Sequence, residues 1–333
     1  MKALSAFALM LLAGACATDN TVVSMVPAFR ETKGMGAEGD AADDPAIWVN
    51  PNDAAKSLIL GTNKDEGLYV YNLAGEELQK IPVGLSNNVD LRGNLAVISN
   101  DGVNALSWFR IEPNTAVVSH VGDTKLERIE PYGVCIGAPG GKLQVVATFK
   151  DGSIDIWQVH DQGSGPVHIF DVRTLKLDTQ IEGCVIDDET NRLFVGEENV
   201  GLWAIDLATG AKTQVDTVSS GTGLVADVEG VTLYAGKDGA GYVVVSAQSA
   251  NRFMVYDRKP PHALVGVIGI GSSADGKVDG VSHTDGLDVS SATFPEFPAG
   301  ILVTQDDANP VSEIDQNFKI IDWREVMKAF TSK

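Results

Sequence analysis

The chain has 333 residues, 44% of them hydrophobic, with 35 glycines and a formal net charge of −20. This is a folded, turn-rich composition, not a disordered one, and the length suits a single domain built from repeats. So acidic a chain, with no basic cluster, repels nucleic acid and anionic membranes, and to handle an anionic substrate it needs a cation between the two.

Residues 1–20 read as a leader. Lys2 precedes the apolar run Ala3 to Leu12, followed by Ala13-Gly14-Ala15-Cys16: a charged start, a hydrophobic stretch and small residues at a cleavage point. The run is too short to hold a bilayer as an anchor. Cys16 after small residues resembles a lipoprotein box, which makes it the candidate lipid anchor. Ala13 stands where leucine is commoner, so plain cleavage after Ala15 or Ala17 fits as well. Either route exports the protein, whether to the periplasm, to the outer membrane as a lipoprotein, or to the medium. Residues 21–333 then form the body, read as one domain and a monomer. They retain Cys135 and Cys184, which in an oxidising compartment either pair or serve as two small buried hydrophobes.

Thr21 to Phe29 reads as a strand. After it, one motif returns six times: a polar residue, a small residue, then a short apolar strand. The copies begin at Asp44-Pro45, Asn88-Val89, Tyr132-Gly133, Glu182-Gly183, Glu229-Gly230 and Asp285-Gly286. Their spacing is about 44 to 56 residues, the length of a four-stranded propeller blade. A second strand follows each first one and ends on polar residues: Thr62-Asn63-Lys64, Ser99-Asn100-Asp101, Thr148-Phe149-Lys150, Glu197-Glu198, Gln248-Ser249 and Thr304-Gln305-Asp306. A third, often aromatic, strand comes next: Leu68 to Tyr71, Leu106 to Phe109, Ile154 to Trp157, Leu202 to Ile205, Phe253 to Tyr256 and Phe318 to Trp323. The pattern predicts an all-β fold, a six-bladed β-propeller of four-stranded antiparallel blades. Thr21 to Phe29 is expected to join the last blade and close the ring, and Trp323 to Phe330 to form a short terminal helix.

In antiparallel strands the start of strand one and the end of strand two share one end of the blade. The propeller therefore gathers Asp43, Asp44, Glu182, Glu198, Glu229, Gln248, Asp279, Asp285 and Asp306 at one mouth, with Lys64 and Lys150. So many carboxylates repel one another unless cations lie between them, and oxygen donors without His or Cys favour Ca²⁺. Taken singly, each feature also fits a plain structural role. Asp43-Asp44-Pro45 suits a turn, Glu182-Gly183 and Glu229-Gly230 suit bulges, Asp279-Gly280 and Asp285-Gly286 suit hairpins, and Glu197-Glu198 a solvated pair. Equivalent placement in a repeat favours function. His283 reads as part of a polar turn and the third-strand aromatics as packing. The chain has no Gly-rich phosphate loop and no Ser nucleophile elbow.

These residues carry a family resemblance. Asp40 to Trp48 (DAADDPAIW) resembles the opening signature of the β-propeller phytases. Asn87 to Arg92, Ile181 to Asp188, Gly196 to Trp203, Asp279 to Gly286 and Gln316 to Lys319 resemble further blocks in family order, so the likeness spans about residues 25 to 325. It implies a propeller that hydrolyses myo-inositol hexakisphosphate as its calcium complex, with several bound Ca²⁺ ions. The resemblance matches Glu31, Asp43, Glu182, Glu198, Glu229, Gln248 and Asp285 to ligands of catalytic calcium. Asp44 and the backbone of Val89 match one structural calcium site, and Asp279, Asp306 and Asn309 another. Lys64, Tyr132 and Lys150 match groups that hold the scissile phosphate, and Glu182 is the candidate bridge between catalytic ions. One departure stands out: Asp101 occupies the position where family members usually carry an arginine. Two competing readings are a metal-dependent propeller lactonase, which would not need the lysine pair, and a non-catalytic calcium-binding propeller, which Asp101 makes less remote.

Overall fold

A short strand that is apolar on both faces must be covered on both, and this chain achieves that by stacking sheet on sheet. In the computed structural model, which describes residues 21–36, 39–311 and 316–331, the repeats form six sheets. The first four are Ala42–Trp48, Leu58–Asn63, Gly67–Asn72 and Glu77–Pro82; Val89–Arg92, Leu95–Asn100, Ala105–Glu112 and Val117–Lys125; Pro131–Gly137, Gln144–Phe149, Ser153–His160 and His168–Lys176; and Ile181–Asp187, Arg192–Glu197, Gly201–Asp206 and Lys212–Thr217. The fifth holds Val228–Ala235, Gly241–Ala247, Arg252–Asp257 and Leu264–Gly271. The sixth holds Leu287–Ser290, Ile301–Asp306 and Asn317–Asp322. Each first strand packs against the first strands of both neighbouring blades, and the sixth returns to the first, so the six inner strands line a central channel. This is the expected six-bladed propeller.

Ring closure corrects the expectation for Thr21 to Phe29. Ser24–Pro27 does not join the last blade. It adds a fifth strand to the fifth blade, parallel to Leu264–Gly271 with Ser24 opposite Ile268. The closing strand is Arg30–Glu31, antiparallel to Asn317–Asp322 with Glu31 opposite Lys319. The ladder changes sheet within one residue. The Ala28 N–H donates to Gly271 O at 2.8 Å, and the Phe29 N–H donates to Ile320 O at 3.0 Å. The reason is that the sixth blade has only three strands of its own, because the chain turns into the helix Trp323–Thr331 after Asp322. One extended segment therefore covers two open edges, which would otherwise present unpaired backbone groups.

The core lies between blades. Trp48, Leu60 and Val70 of the first blade pack with Ile98, Phe109 and Ile111 of the second, and Leu106 and Trp108 pack with Val145 and Phe149 of the third. Similar layers join the remaining neighbours, the last being Phe318 and Ile320 against Ile59, Tyr69 and Tyr71. The third-strand aromatics are thus packing, as the pattern indicates, each fully buried ring contributing about 2–3 kcal/mol. Cys135 and Cys184, on adjacent inner strands with Cα atoms 5.8 Å apart, form a disulfide between blades three and four. Trp323 opens the terminal helix stacked on Tyr234, with ring centroids 4.3 Å apart. The leader and Cys16 lie outside the described residues.

Candidate active site

In four of the six blades the motif that repeats in the sequence is a break in the ladder. Between first and second strands the register skips at Ala42/Pro45, Pro131/Val134, Ile181/Cys184 and Val228/Val231. The unpaired residues are Asp43-Asp44, Tyr132-Gly133, Glu182-Gly183 and Glu229-Gly230. A bulge re-aims side chains at the end of a strand, so the structural and functional readings of these pairs describe one feature. The glycines are needed for close approach. A Cβ on Gly133 would stand 1.9 Å from the Glu182 carbonyl oxygen, and one on Gly183 2.1 Å from that of Glu229. Blades three and four thereby seat their bulges directly against the next blade, and the polar partner residues are brought round one mouth.

The acids there are buried. Asp43 is fully buried, and among the described residues no hydrogen bond reaches either of its carboxylate oxygens. Glu229 Oε2 is in the same condition. Burial, then the charges of Asp285 and Asp40, push Asp43 up to about 7 against the pull of Lys64. Burial, then Asp285, Asp43, Glu198 and Asp227, push Glu229 up to about 10. Glu182 is raised well above the carboxylate range by burial and by Glu229, Asp43 and Asp285. Glu198, which accepts from Gln180 Nε2 at 2.6 Å, is raised chiefly by burial. Among the described residues no three of these acids are arranged around a point that would hold a metal ion. Lysine ammonium groups stand between acids whose charges would otherwise repel.

Lys64 Nζ lies 2.8 Å from Asp285 Oδ2, 2.9 Å from Asp40 Oδ1 and 3.7 Å from Asp43 Oδ1. Gln248 Nε2 donates to the other oxygen of Asp285. Burial opposes the charge on Lys64, but Asp43 and Asp285 outweigh it and hold the ammonium protonated far above its usual range. Lys150 is exposed and stands over the Tyr132 ring, 4.6 Å from its centroid. The Tyr132 phenol is held protonated by burial and by the surrounding carboxylates. Asp44 Oδ2 accepts from the Val89 N–H at 3.0 Å, so these two meet across the first and second blades.

Glu31, Asp279, Asp306 and Asn309 form a separate group around Lys319, which is fully buried. Its Nζ lies 2.6 Å from Glu31, 2.8 Å from Asp279 and 3.1 Å from Asp306, and it donates to Asn309 Oδ1. Glu31 is therefore placed in contact with this group through Lys319. Lys319 and Asp227 are site residues that the repeat pattern did not single out. Asp227 stands just ahead of the strand Val228–Ala235, two residues before Glu229, and its charge adds to the upward push on the Glu229 carboxyl. Lys319 closes the Gln316 to Lys319 block, beside an acid on the partner strand. Asp101 follows the second strand of blade two, as Lys64 and Lys150 follow theirs, and its Oδ1 is buried without a hydrogen bond.

The far mouth differs. Asp90 Oδ2 accepts from Ile136 N at 2.8 Å and Asp288 Oδ2 from Ile47 N at 2.8 Å, so these acids fasten one inner strand to another. A cavity of about 470 Å³ opens there, lined by these acids with Arg92, Asp187, Asp188 and Arg258. Its charges are engaged with one another: Arg258 Nε meets Asp187 at 2.7 Å and Arg92 Nε meets Asp188 at 3.2 Å.

Comparison with known proteins agrees with this geometry. The phytase family model matches residues 2–333. The chain is 34% identical over 324 residues to the 3-phytase of Bacillus subtilis (strain 168), covering 90% of this chain and 84% of that protein. A propeller with this acidic mouth, matched end to end by one family, belongs to the phytase family.

Proposed function

We propose that the protein is a calcium-dependent phosphomonoester hydrolase that releases phosphate from myo-inositol hexakisphosphate at the acidic mouth. The observation that carries the reading is Asp43, fully buried with neither oxygen hydrogen-bonded among the described residues, amid Glu182, Glu229 and Asp285. The donors are hard oxygens without His or Cys, and orphaned buried carboxylate oxygens fit a cation of high charge. Asp43, Glu182, Glu198, Glu229, Gln248 and Asp285 would hold catalytic calcium, with Asp227 beside them. Asp44 with Val89 would hold a structural ion, as would Asp279, Asp306 and Asn309. Calcium held there would offset the charge of the substrate and supply an acidified water for in-line attack on phosphorus.

The chain's own residues do the rest. Lys150, exposed over the Tyr132 ring, is placed to meet an incoming phosphate. Lys64, held by Asp40 and Asp285, offers a second ammonium at the same mouth, and the two balance charge on the equatorial oxygens. Tyr132 keeps its proton and donates it in a hydrogen bond that orients the phosphate. Glu182, on a bulge seated between Gly133 and Glu229, is buried among Glu229, Asp43 and Asp285 and is therefore the candidate for a shared ligand. A lactonase would have no use for the two ammonium groups. A non-catalytic propeller retains one supporting observation, the acid at Asp101.

Phosphate release from calcium phytate, assayed with calcium and with chelator, tests the reading. Release only with calcium is expected; no release under either condition would leave the non-catalytic propeller. Export by the leader, with lipid on Cys16, belongs to the same proposal, and the mass of the mature N-terminal peptide checks it.

A further inference from the structure

The second strands end in equivalent triplets: Thr62-Asn63-Lys64, Ser99-Asn100-Asp101, Thr148-Phe149-Lys150, Gly196-Glu197-Glu198, Ser246-Ala247-Gln248 and Thr304-Gln305-Asp306. The third member of each lies at the acidic mouth. Side chains alternate along a strand, so the first member points to the same side. It carries a hydroxyl in five of the six copies, and all five are fully buried.

A buried hydroxyl must find a partner, and here three find it in the next blade. Ser99 Oγ donates to the Tyr132 carbonyl, Thr148 Oγ1 to the Glu182 carbonyl at 2.7 Å, and Ser246 Oγ to the Thr284 carbonyl at 2.8 Å. Thr62 turns back on its own bulge, donating to Asp44 O at 3.1 Å and accepting from Asp44 N at 3.0 Å. Thr148 does both. It accepts from the Gly133 N–H at 3.0 Å while donating to Glu182 O. One hydroxyl thus joins the bulge that aims Tyr132 to the bulge that aims Glu182. In the fourth blade the position is Gly196, where a Cβ would stand 2.6 Å from the Val228 carbonyl oxygen, so backbone contact replaces the link.

We propose that Thr148 is a positioning residue for the reaction: its hydroxyl sets the spacing between Tyr132, which orients the phosphate, and Glu182, which holds the metal. The inference rests on the function proposed above, and its test is chosen to separate the two. Thr148→Val keeps the size and the branched shape while removing the donor and acceptor. Loss of a group that orients a metal ligand typically weakens metal binding or activity by about 10- to 100-fold. Three measurements are made on the full chain: calorimetric titration with calcium alone, a thermal melt, and kcat and KM on calcium phytate. In Thr148→Val we expect kcat and calcium affinity each to fall by about tenfold or more, KM to stay within about twofold, and the melting midpoint to drop by only a few degrees. Thr148→Ser, which keeps the hydroxyl, should restore both losses. Should the valine variant not fold, Thr148→Ser against Thr148→Ala isolates the hydroxyl, and the serine protein should bind calcium about tenfold more tightly. Wild-type calcium affinity and kcat in Thr148→Val, or equal calcium affinity in the serine and alanine proteins, would overturn the inference. A wild type inactive on calcium phytate would instead overturn the proposed function, and the calcium titration would still decide the role of Thr148.

Discussion

Without bound metal the stability of this protein should fall with rising pH. Asp43 shows why. Its carboxyl is fully buried, receives no hydrogen bond among the described residues, and has the Lys64 ammonium 3.7 Å away. Burial moves it from the ordinary 3.8 to about 7, and at about 1.4 kcal/mol per pH unit this amounts to about 4 kcal/mol. The sign follows from proton counting. Below about pH 4 both folded and unfolded chains hold this proton, and nothing is lost. Between about pH 4 and 7 the unfolded chain has released it and the metal-free folded chain has not, so stability declines as pH rises. Above about 7 the whole cost is present, and Glu229, raised to about 10, extends the decline. On the proposed function, calcium would bind the ionised acids of the folded state alone. At a thousandfold excess over its Kd it adds about 4 kcal/mol, comparable with the Asp43 cost. For a chain this long, about 4 kcal/mol corresponds to roughly 10 °C in melting midpoint. Calorimetric melts from about pH 4 to about pH 8.5, with calcium and with chelator, should show a midpoint that falls by at least that amount without metal and stays nearly level with it. A metal-free midpoint that is flat or rises with pH would refute the argument, as would a calcium increment that is the same at every pH.

Three further outcomes are expected. Glu182→Gln should reduce phosphate release by about 10- to 100-fold while circular dichroism stays unchanged, because on the proposed function it would remove a charged metal ligand and keep the shape; retained turnover at saturating calcium would count against the shared-ligand role. Asp101→Arg should raise kcat/KM on calcium phytate by about 5- to 150-fold, the equivalent of about 1–3 kcal/mol from a charge-assisted pair where an acid stands now. A variant slower at every calcium concentration would make Asp101 a working part of the site. Arg258→Met should cost about 3–5 kcal/mol in urea unfolding, since it leaves the buried Asp187 carboxylate unpaired, yet leave kcat unchanged because Arg258 serves the far mouth. An altered kcat in the folded variant would tie that mouth to catalysis.

The architecture was legible because a propeller is repetitive. Six returns of polar-small-apolar at blade spacing require six stacked units, and the strand ends that share a position in the repeat share a mouth. Less legible was how edges are completed. Nothing local in Thr21 to Phe29 distinguishes a strand that closes the sixth blade from one that widens the fifth. That choice depends on which sheet edges remain open once every other strand is placed, and the answer, a change of sheet between Ala28 and Phe29, is a property of the assembled ring. The disulfide was open for the same reason, because Cys135 and Cys184 become neighbours only when their blades do.

The sequence by itself determined the fold class, the mouth and most of its acids, since alternation and repeat length act through local backbone geometry. Only the tertiary structure decided how those acids divide. Glu31 went with Asp279, Asp306 and Asn309 around Lys319, while Lys64 settled among Asp40, Asp43 and Asp285. Charge pairing depends on distances of a few ångströms between side chains from different blades, and burial multiplies the energy of each pair. Residues as far apart in the chain as Glu31 and Lys319 carry no sign in their own neighbourhoods that one will meet the other.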